Sequence, residues 1–308
     1  MKVYRSIEAY ENTGRTAVTI GTFDGVHSGH RVIINQLKNA AQKINGESVL
    51  LTFFPHPRMV LYPDDNDLRL LNTINERIKL LEMAGIDHLI IYPFSKEFSR
   101  LSSTEFVRDI LVNQLNVATL VIGYDHHFGR NREGSFEHLQ ELAPLYDFKV
   151  EEIVAQAIQQ VNISSTKIRT SLNEGEINAA NQFLGYNYFI EGTVVEGNQK
   201  GREIGFPTAN IKVDEWYKLI PAKAVYAVKV FIDDTIYEGM LNIGTRPTIN
   251  GTSETIEVNI FNFNKNIYNK TLRIEFYQRI RNEQKFEQFS DLKTQLEIDK
   301  EKTIQVFQ

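Results

Sequence analysis

The chain of 308 residues contains no cysteine. Disulfides, thiolate metal sites and cysteine nucleophiles are therefore excluded, and any chemistry must rest on oxygen and nitrogen groups. Long apolar runs are missing as well, so no segment is expected to span a bilayer. The opening residues, MKVYRSIEAYENTG, lack the apolar core of a secretory signal. A cytoplasmic protein without membrane association is expected. Nor is there a basic excess: 34 Lys and Arg stand against 39 Asp and Glu, giving a formal charge of -5 and a pI near 5.9. That balance argues against a broad nucleic-acid footprint, so anionic ligands must be met by local positive groups. No repeat or low-complexity linker breaks the chain. With 42% hydrophobic and 11% aromatic residues it reads as a folded globular protein, long enough for two domains.

The two halves have different rhythms. In the first, the strand-like runs AVTIGTF (17–23), SVLLTFF (48–54), IDHLIIY (86–92), ATLVIG (118–123) and FKVEEIV (148–154) alternate with helix-period stretches. One such stretch carries Ile33, Leu37, Ala40, Ala41 and Ile44. Thr73 with Glu76, and Ser102 with Glu105, have the form of capping boxes. Near-continuous apolar strands separated by helices predict a doubly wound, Rossmann-like parallel sheet covered on both faces. After about residue 185 strands follow one another directly. Tyr226, Val228, Val230 and Ile232 alternate with more polar neighbours, Asp233 and Asp234 suit a tight hairpin, and Leu272, Ile274 and Phe276 share a face. An antiparallel barrel or sandwich is expected there, closed by a terminal helix capped by Ser290. The division falls at the end of a short helical segment, giving domains 1–184 and 185–308.

Residues 21–30, GTFDGVHSGH, leave the first of those apolar runs and enter a helix. Gly21, Gly25 and Gly29 allow a ligand close to the backbone, and a helix amino terminus beyond a parallel strand offers free N–H groups to phosphate. His27 and His30, three apart, share one side of a helical turn. A metal reading would add Asp24, with Asp125, His126 or His127 as distal ligands; a bland reading makes the histidines surface or capping groups. The strand-to-helix position favours phosphate.

GTFDGVHSGH contains the HxGH signature of α/β nucleotidyltransferases, and its longer form resembles the adenylyltransferase half of the bacterial bifunctional riboflavin kinase/FMN adenylyltransferases. GYDHHFGRNREG (123–134) is similar to that family's second flavin-site loop, with His126 where phenylalanine is common. ISSTKIR (163–169) is similar to its third motif, with hydroxyls at a helix start followed by cations. The resemblance implies ATP contacts from Gly21, Phe23, Asp24, His27, Gly29, His30, Ser164, Ser165, Thr166 and Arg169. It implies FMN contacts from Phe54, Pro55, His56, Pro57, Asp125, Phe128 and Arg132. The implied reaction is attack of the FMN phosphate on the α-phosphorus of ATP, giving FAD and pyrophosphate. That nucleophile is already an anion and needs no general base. Positioning and charge neutralisation by His27, His30, Arg169 and magnesium are the expected catalysis.

In the second half, KGREIGFPTANI (200–211) reads from periodicity only as a glycine turn into an edge strand interrupted by Pro207. GFPTAN nevertheless resembles the flavokinase motif of the same family. Thr208 and Asn210 alternate onto one face of an extended chain, where a hydroxyl and an amide oxygen can reach one Mg2+ ion. The family's glutamate at the start of a later strand maps to Glu257. Riboflavin presents a neutral hydroxyl that must lose its proton on attacking the γ-phosphate of ATP, which gives Glu257 the expected role of general base. LNIGTRPTI (241–249) and RIRNEQKF (279–286) are similar to flanking segments. Together these imply ATP and flavin contacts from Gly201, Gly205, Phe206, Pro207, Thr208, Asn210, Arg281 and Glu283. Asn198, Asn259 and Asn269 stand where aspartate, histidine and glycine are frequent; asparagine tolerates left-handed backbone at 269.

The resemblance thus implies a bifunctional enzyme whose partners are small molecules: riboflavin, FMN, FAD, ATP, ADP and pyrophosphate. Self-association is left open. Two other readings remain: a flavin-binding regulatory protein that has lost turnover, and a nucleotidyltransferase for another phosphorylated substrate. The second does not account for GFPTAN.

Overall fold

The computed structural model describes residues 1–11, 14–64, 67–123, 127–153, 163–197, 200–248 and 251–308. Asp125, His126, Asn198 and the side chain of Arg132 lie outside the described residues. The chain separates into two compact units, Met1–Ser165 and Thr166–Gln308.

In the first unit six strands form one parallel sheet: β1 (Lys2–Tyr4), β2 (Thr16–Ile20), β3 (Glu47–Phe53), β4 (His88–Tyr92), β5 (Val117–Gly123) and β6 (Lys149–Ile153), in the order β1-β4-β3-β2-β5-β6. β1, three residues with no apolar run, was not anticipated. Helices α1 (Ser28–Lys43), α2 (Pro57–Leu61), α3 (Ile74–Ala84), α4 (Ser103–Glu105, continued by a π-helical Phe106–Val112) and α5 (Phe136–Leu142) lie between strands. All five residues of β2 are buried, as expected of a strand covered on both faces. On α1 the buried stripe is Ile34, Leu37, Ala40 and Ala41. Both capping boxes form, Thr73 with Glu76 and Ser102 with Glu105. From β2 the chain builds outward through β3 and β4, then returns to place β5 and β6 on the other side of β2. The carboxyl ends of β2 and β5 therefore flank a topological switch point, where open α/β sheets bind ligands.

The second unit opens within α6 (Ser165–Glu174), at Thr166, and continues with α7 (Ile177–Leu184). Asn181 Nδ2 donates to the carbonyl of Phe276 at 2.9 Å, and Arg279 Nη1 to that of Glu174 at 2.9 Å, so both helices pack against the strand that carries Phe276 and Arg279. A closed barrel comes next: β7 (Phe189–Val195), β8 (Ala209–Lys212), β9 (Ala224–Ile232), β10 (Thr235–Thr248), β11 (Gly251–Ile260) and β12 (Thr271–Asn282), in the order β10-β11-β8-β7-β12-β9. A short helix, α8 (Lys200–Glu203), precedes β8. Asp233, with φ of 51°, turns the β9–β10 hairpin, and Asn269 adopts φ of 63°. Two expectations are corrected. β8 is no edge strand, since it pairs with both β7 and β11, and Pro207 lies ahead of it where no ladder bond is required. Ser290 does not cap the terminal helix α9 (Phe289–Phe307): Leu292 N–H bonds the carbonyl of Gln288, so the first turn begins earlier and Ser290 sits inside it. Among the described residues no helix is long and apolar enough to cross a membrane.

Candidate functional sites

The loop after β2 turns by unusual backbone angles: Phe23, Gly25 and Val26 have φ of 47°, 90° and 37°. For a buried phenylalanine and a β-branched valine this is strained conformation, of the kind that clusters at functional sites. Asp24, 1% exposed, holds the loop from within. Its carboxylate accepts from the N–H groups of Leu71 (3.0 and 3.1 Å) and Asn72 (3.2 Å) and lies 3.9 Å from the guanidinium of Arg77. Its own carbonyl accepts from Ser165 Oγ at 2.8 Å. An acid so enclosed serves poorly as a metal ligand, and among the described residues no three His, Asp or Glu side chains converge on one point.

His27 is the N-cap of α1, its Nδ1 accepting from the N–H of His30 at 3.3 Å. An accepting Nδ1 is unprotonated, so the neutral ring carries its proton on Nε2. The rings of His27 and His30 stack with centroids 3.6 Å apart, and Phe23 packs against His30 at 4.9 Å. Burial, reinforced by His27 and Arg77, holds His30 well below the usual imidazole range. The pair is thus a capping and a stacked histidine on one side of the turn.

Beyond β3, Phe54, His56 and Pro57 are half-buried and Pro55 is exposed, with His56 capping α2 through Nδ1 and the N–H of Arg58 at 3.2 Å. After β5, Phe128 is buried against Phe106, and its N–H and carbonyl pair with Gly134. Glu133 accepts from the N–H of Ser103 at 2.9 Å, and Arg130 N–H donates to the carbonyl of Leu101 at 2.7 Å, fixing the second motif to the start of α4. At the third motif Ser164 and Thr166 are exposed and Arg169 is half-buried.

In the barrel unit the candidates from three sequence segments meet. Asn210 lies opposite Glu257 in the β8–β11 ladder, and Thr208 Oγ1 donates to Glu257 Oε2 at 3.3 Å. Glu257 sits late in β11 rather than at its start. A Cβ at position 197 would come within 2.0 Å of the Asn210 amide, so only glycine leaves that side chain its place. Thr208 and Glu257 line a cavity of about 300 Å³ whose other walls include Phe206, Val225, Met240, Leu241, Arg281, Glu283, Phe286 and Leu296. Thr208 also lines a second cavity, of about 520 Å³, with Arg202, Pro207, Lys265 and Tyr268. Gly201 borders the first, and Gly205 bends the approach to Phe206 with φ of 85°.

Residues 9–167 match the family model described as FAD synthetase, and residues 184–307 match the one described as riboflavin kinase. The bifunctional riboflavin kinase/FMN adenylyltransferase of Haemophilus influenzae is 40% identical over 286 residues, 92% of each chain. The chain belongs to the bifunctional riboflavin kinase/FMN adenylyltransferase family. The Bacillus subtilis member is 35% identical over 302 residues, 96% of this chain and 94% of its own. A crystal structure of a Streptococcus pneumoniae protein described as macrolide-efflux is 31% identical, with a TM-score of 0.87 and 98% of both chains covered. Efflux is said of that protein; what the two chains share is the fold.

Two residues around these family motifs escaped the sequence reading, and a third was visible there only as a departure from the family. Arg77 is 1% exposed beside Asp24. Asp299, 0% exposed on α9, accepts from Arg281 Nε at 3.0 and 2.9 Å and from Gln295 Nε2 at 2.8 Å, orienting a side chain of the smaller cavity. Asn259 Nδ2 donates to the carbonyl of Pro207 at 2.7 Å. For the two charges a signal existed: each occupies the apolar stripe of its helix, Arg77 with Ile74 and Leu81, Asp299 with Leu292 and Leu296. A charge on a core-facing stripe implies a buried partner.

Proposed function

We propose that this chain makes FAD from riboflavin in two ATP-dependent steps, phosphorylation to FMN within residues 185–308 and adenylylation of FMN within residues 1–184. The observation that carries the reading is that Thr208, which lines both cavities, donates to Glu257, the ladder partner of Asn210. One cavity is walled largely by apolar side chains and suits a flat flavin ring; the other carries Arg202 and Lys265 and suits a polyphosphate.

In the kinase step the terminal hydroxyl of riboflavin gives its proton to Glu257 as its oxygen attacks the γ-phosphorus of ATP. The bond from that phosphorus to the β–γ bridging oxygen breaks and ADP leaves. Thr208 orients the carboxylate through its hydroxyl. Thr208 and Asn210 would hold Mg2+: both offer hard oxygen donors beside a carboxylate, and the glycine at 197 leaves room for the amide. When bound, the ion neutralises phosphate charge.

In the adenylyl step an FMN phosphate oxygen attacks the α-phosphorus, the α–β bridge breaks and pyrophosphate leaves. No base is needed. His27 offers its Nε2–H to a phosphate oxygen, and the free N–H groups of α1 add their dipole. Incubating the protein with riboflavin, ATP and Mg2+ and separating the flavins by chromatography tests the reading. FMN and FAD are expected in turn, and the absence of both would overturn it.

A further inference from the structure

Glu257 and Asn259 are two apart on β11, so their side chains leave the same face of the barrel wall. Each reaches the segment just ahead of β8, and they reach consecutive residues. Glu257 Oε2 accepts from Thr208 Oγ1 at 3.3 Å, and Asn259 Nδ2 donates to the Pro207 carbonyl at 2.7 Å. Pro207 and Thr208 are exposed and precede the first residue of β8, so the β8–β11 ladder does not begin to order them. Asn259 is only 7% exposed, and its backbone is held opposite Met240 in the β10–β11 ladder. A rigid donor thus grips an otherwise unladdered peptide.

We propose that Asn259 is a positioning residue for the kinase step, a latch that holds the Pro207–Thr208 peptide so that the Thr208 hydroxyl stays on Glu257. The inference rests on the kinase reading above. Its chemistry is specific. A carbonyl accepts only from a donor, so an amide or an imidazole N–H serves at 259 and a carboxylate does not. Small displacements of orienting groups have large kinetic effects, because reacting atoms must be held within a narrow range of distance and angle.

The test compares Asn259→Asp, which keeps shape and removes the donor, with Asn259→His, which restores one. Three readouts apply: kcat and KM for riboflavin phosphorylation, FAD formation from supplied FMN, and amide hydrogen exchange over residues 206–210. For Asn259→Asp we expect kcat to fall about 10- to 100-fold with little change in KM. Exchange over 206–210 should be faster, and FAD formation from FMN intact. Asn259→His should recover most of kcat. A raised KM at unchanged kcat would overturn the proposal by making Asn259 a ligand contact, and so would unchanged exchange over 206–210. Equal loss in the two variants would also overturn it, since donor chemistry would then be irrelevant. Exchange is read without substrate, so a wild-type protein that made no FMN would count against the kinase reading while the latch was still judged on its own.

Discussion

Asp24 and Glu257 are the same chemical group placed in opposite circumstances. Asp24 is enclosed under the loop after β2, its oxygens taken up by two backbone N–H groups and its charge facing Arg77. Glu257 is half-buried on a barrel wall and lines a cavity. The first carboxylate braces a loop that carries the two imidazoles; the second, on the proposed reading, takes a proton. This difference follows the nucleophiles of the two proposed reactions. A phosphate monoester arrives as an anion and needs alignment, whereas an alcohol must be deprotonated as it attacks. On the proposed reading one region would supply a shaped turn of N–H donors, and the other a base.

The sharpest way to break that comparison is to remove the base. Glu257→Gln is expected to reduce FMN formation from riboflavin by about 10²- to 10⁴-fold while FAD formation from supplied FMN continues. His27→Ala should show the converse pattern. Flavins separated by chromatography after each incubation provide the measurement. Loss of both activities in either variant would mean that the two regions do not work independently.

A second contrast concerns stability. Arg77→Met leaves Asp24 buried without its counter-charge, and removing one partner of a buried pair costs about 3–5 kcal/mol. Glu257→Gln, on a half-buried wall, should stay within about 0.5 kcal/mol. Urea unfolding midpoints compare the two. If Arg77→Met shifted stability by less than about 1 kcal/mol, the N–H groups of Leu71 and Asn72 would suffice for Asp24.

How much of this was legible obeys the same division. The parallel sheet was readable because strands buried on both faces are continuously apolar, and the hairpin at Asp233 because short polar residues mark a tight turn. β1 escaped because Lys2–Tyr4 is too short for any period. The status of β8 escaped because four residues after a proline look like an edge, and only barrel closure supplies partners on both sides. Resemblance to the family's motifs brought attention to Thr208, Asn210 and Glu257, but the pairing of Asn210 with Glu257 depends on the β8–β11 register, which no single segment encodes. Likewise HxGH marked the turn proposed to meet phosphate, while the positive φ of Phe23 and Val26 falls on residues that seldom adopt it and so leaves no trace in composition.

The smallest expected effect separates the regions by pH. All seven histidines precede residue 139, so the barrel has none to titrate near neutrality. In the first unit His30 is held well below its ordinary value of 6.5, first by burial and then by His27 and Arg77. As pH falls below 6.5 the unfolded chain takes up a proton that the folded chain refuses. The contribution of His30 is therefore fully present above that pH and is lost on acidification, by at most about 1.4 kcal/mol per pH unit. Amide exchange of β2 and β3 should thus quicken between about pH 6.5 and 5 relative to β9 and β12, after correction for the intrinsic pH dependence of exchange. His30→Gln should flatten the slope for β2 and β3. An equal acid response in the barrel strands would show that carboxylates common to both regions, rather than this imidazole, govern the loss.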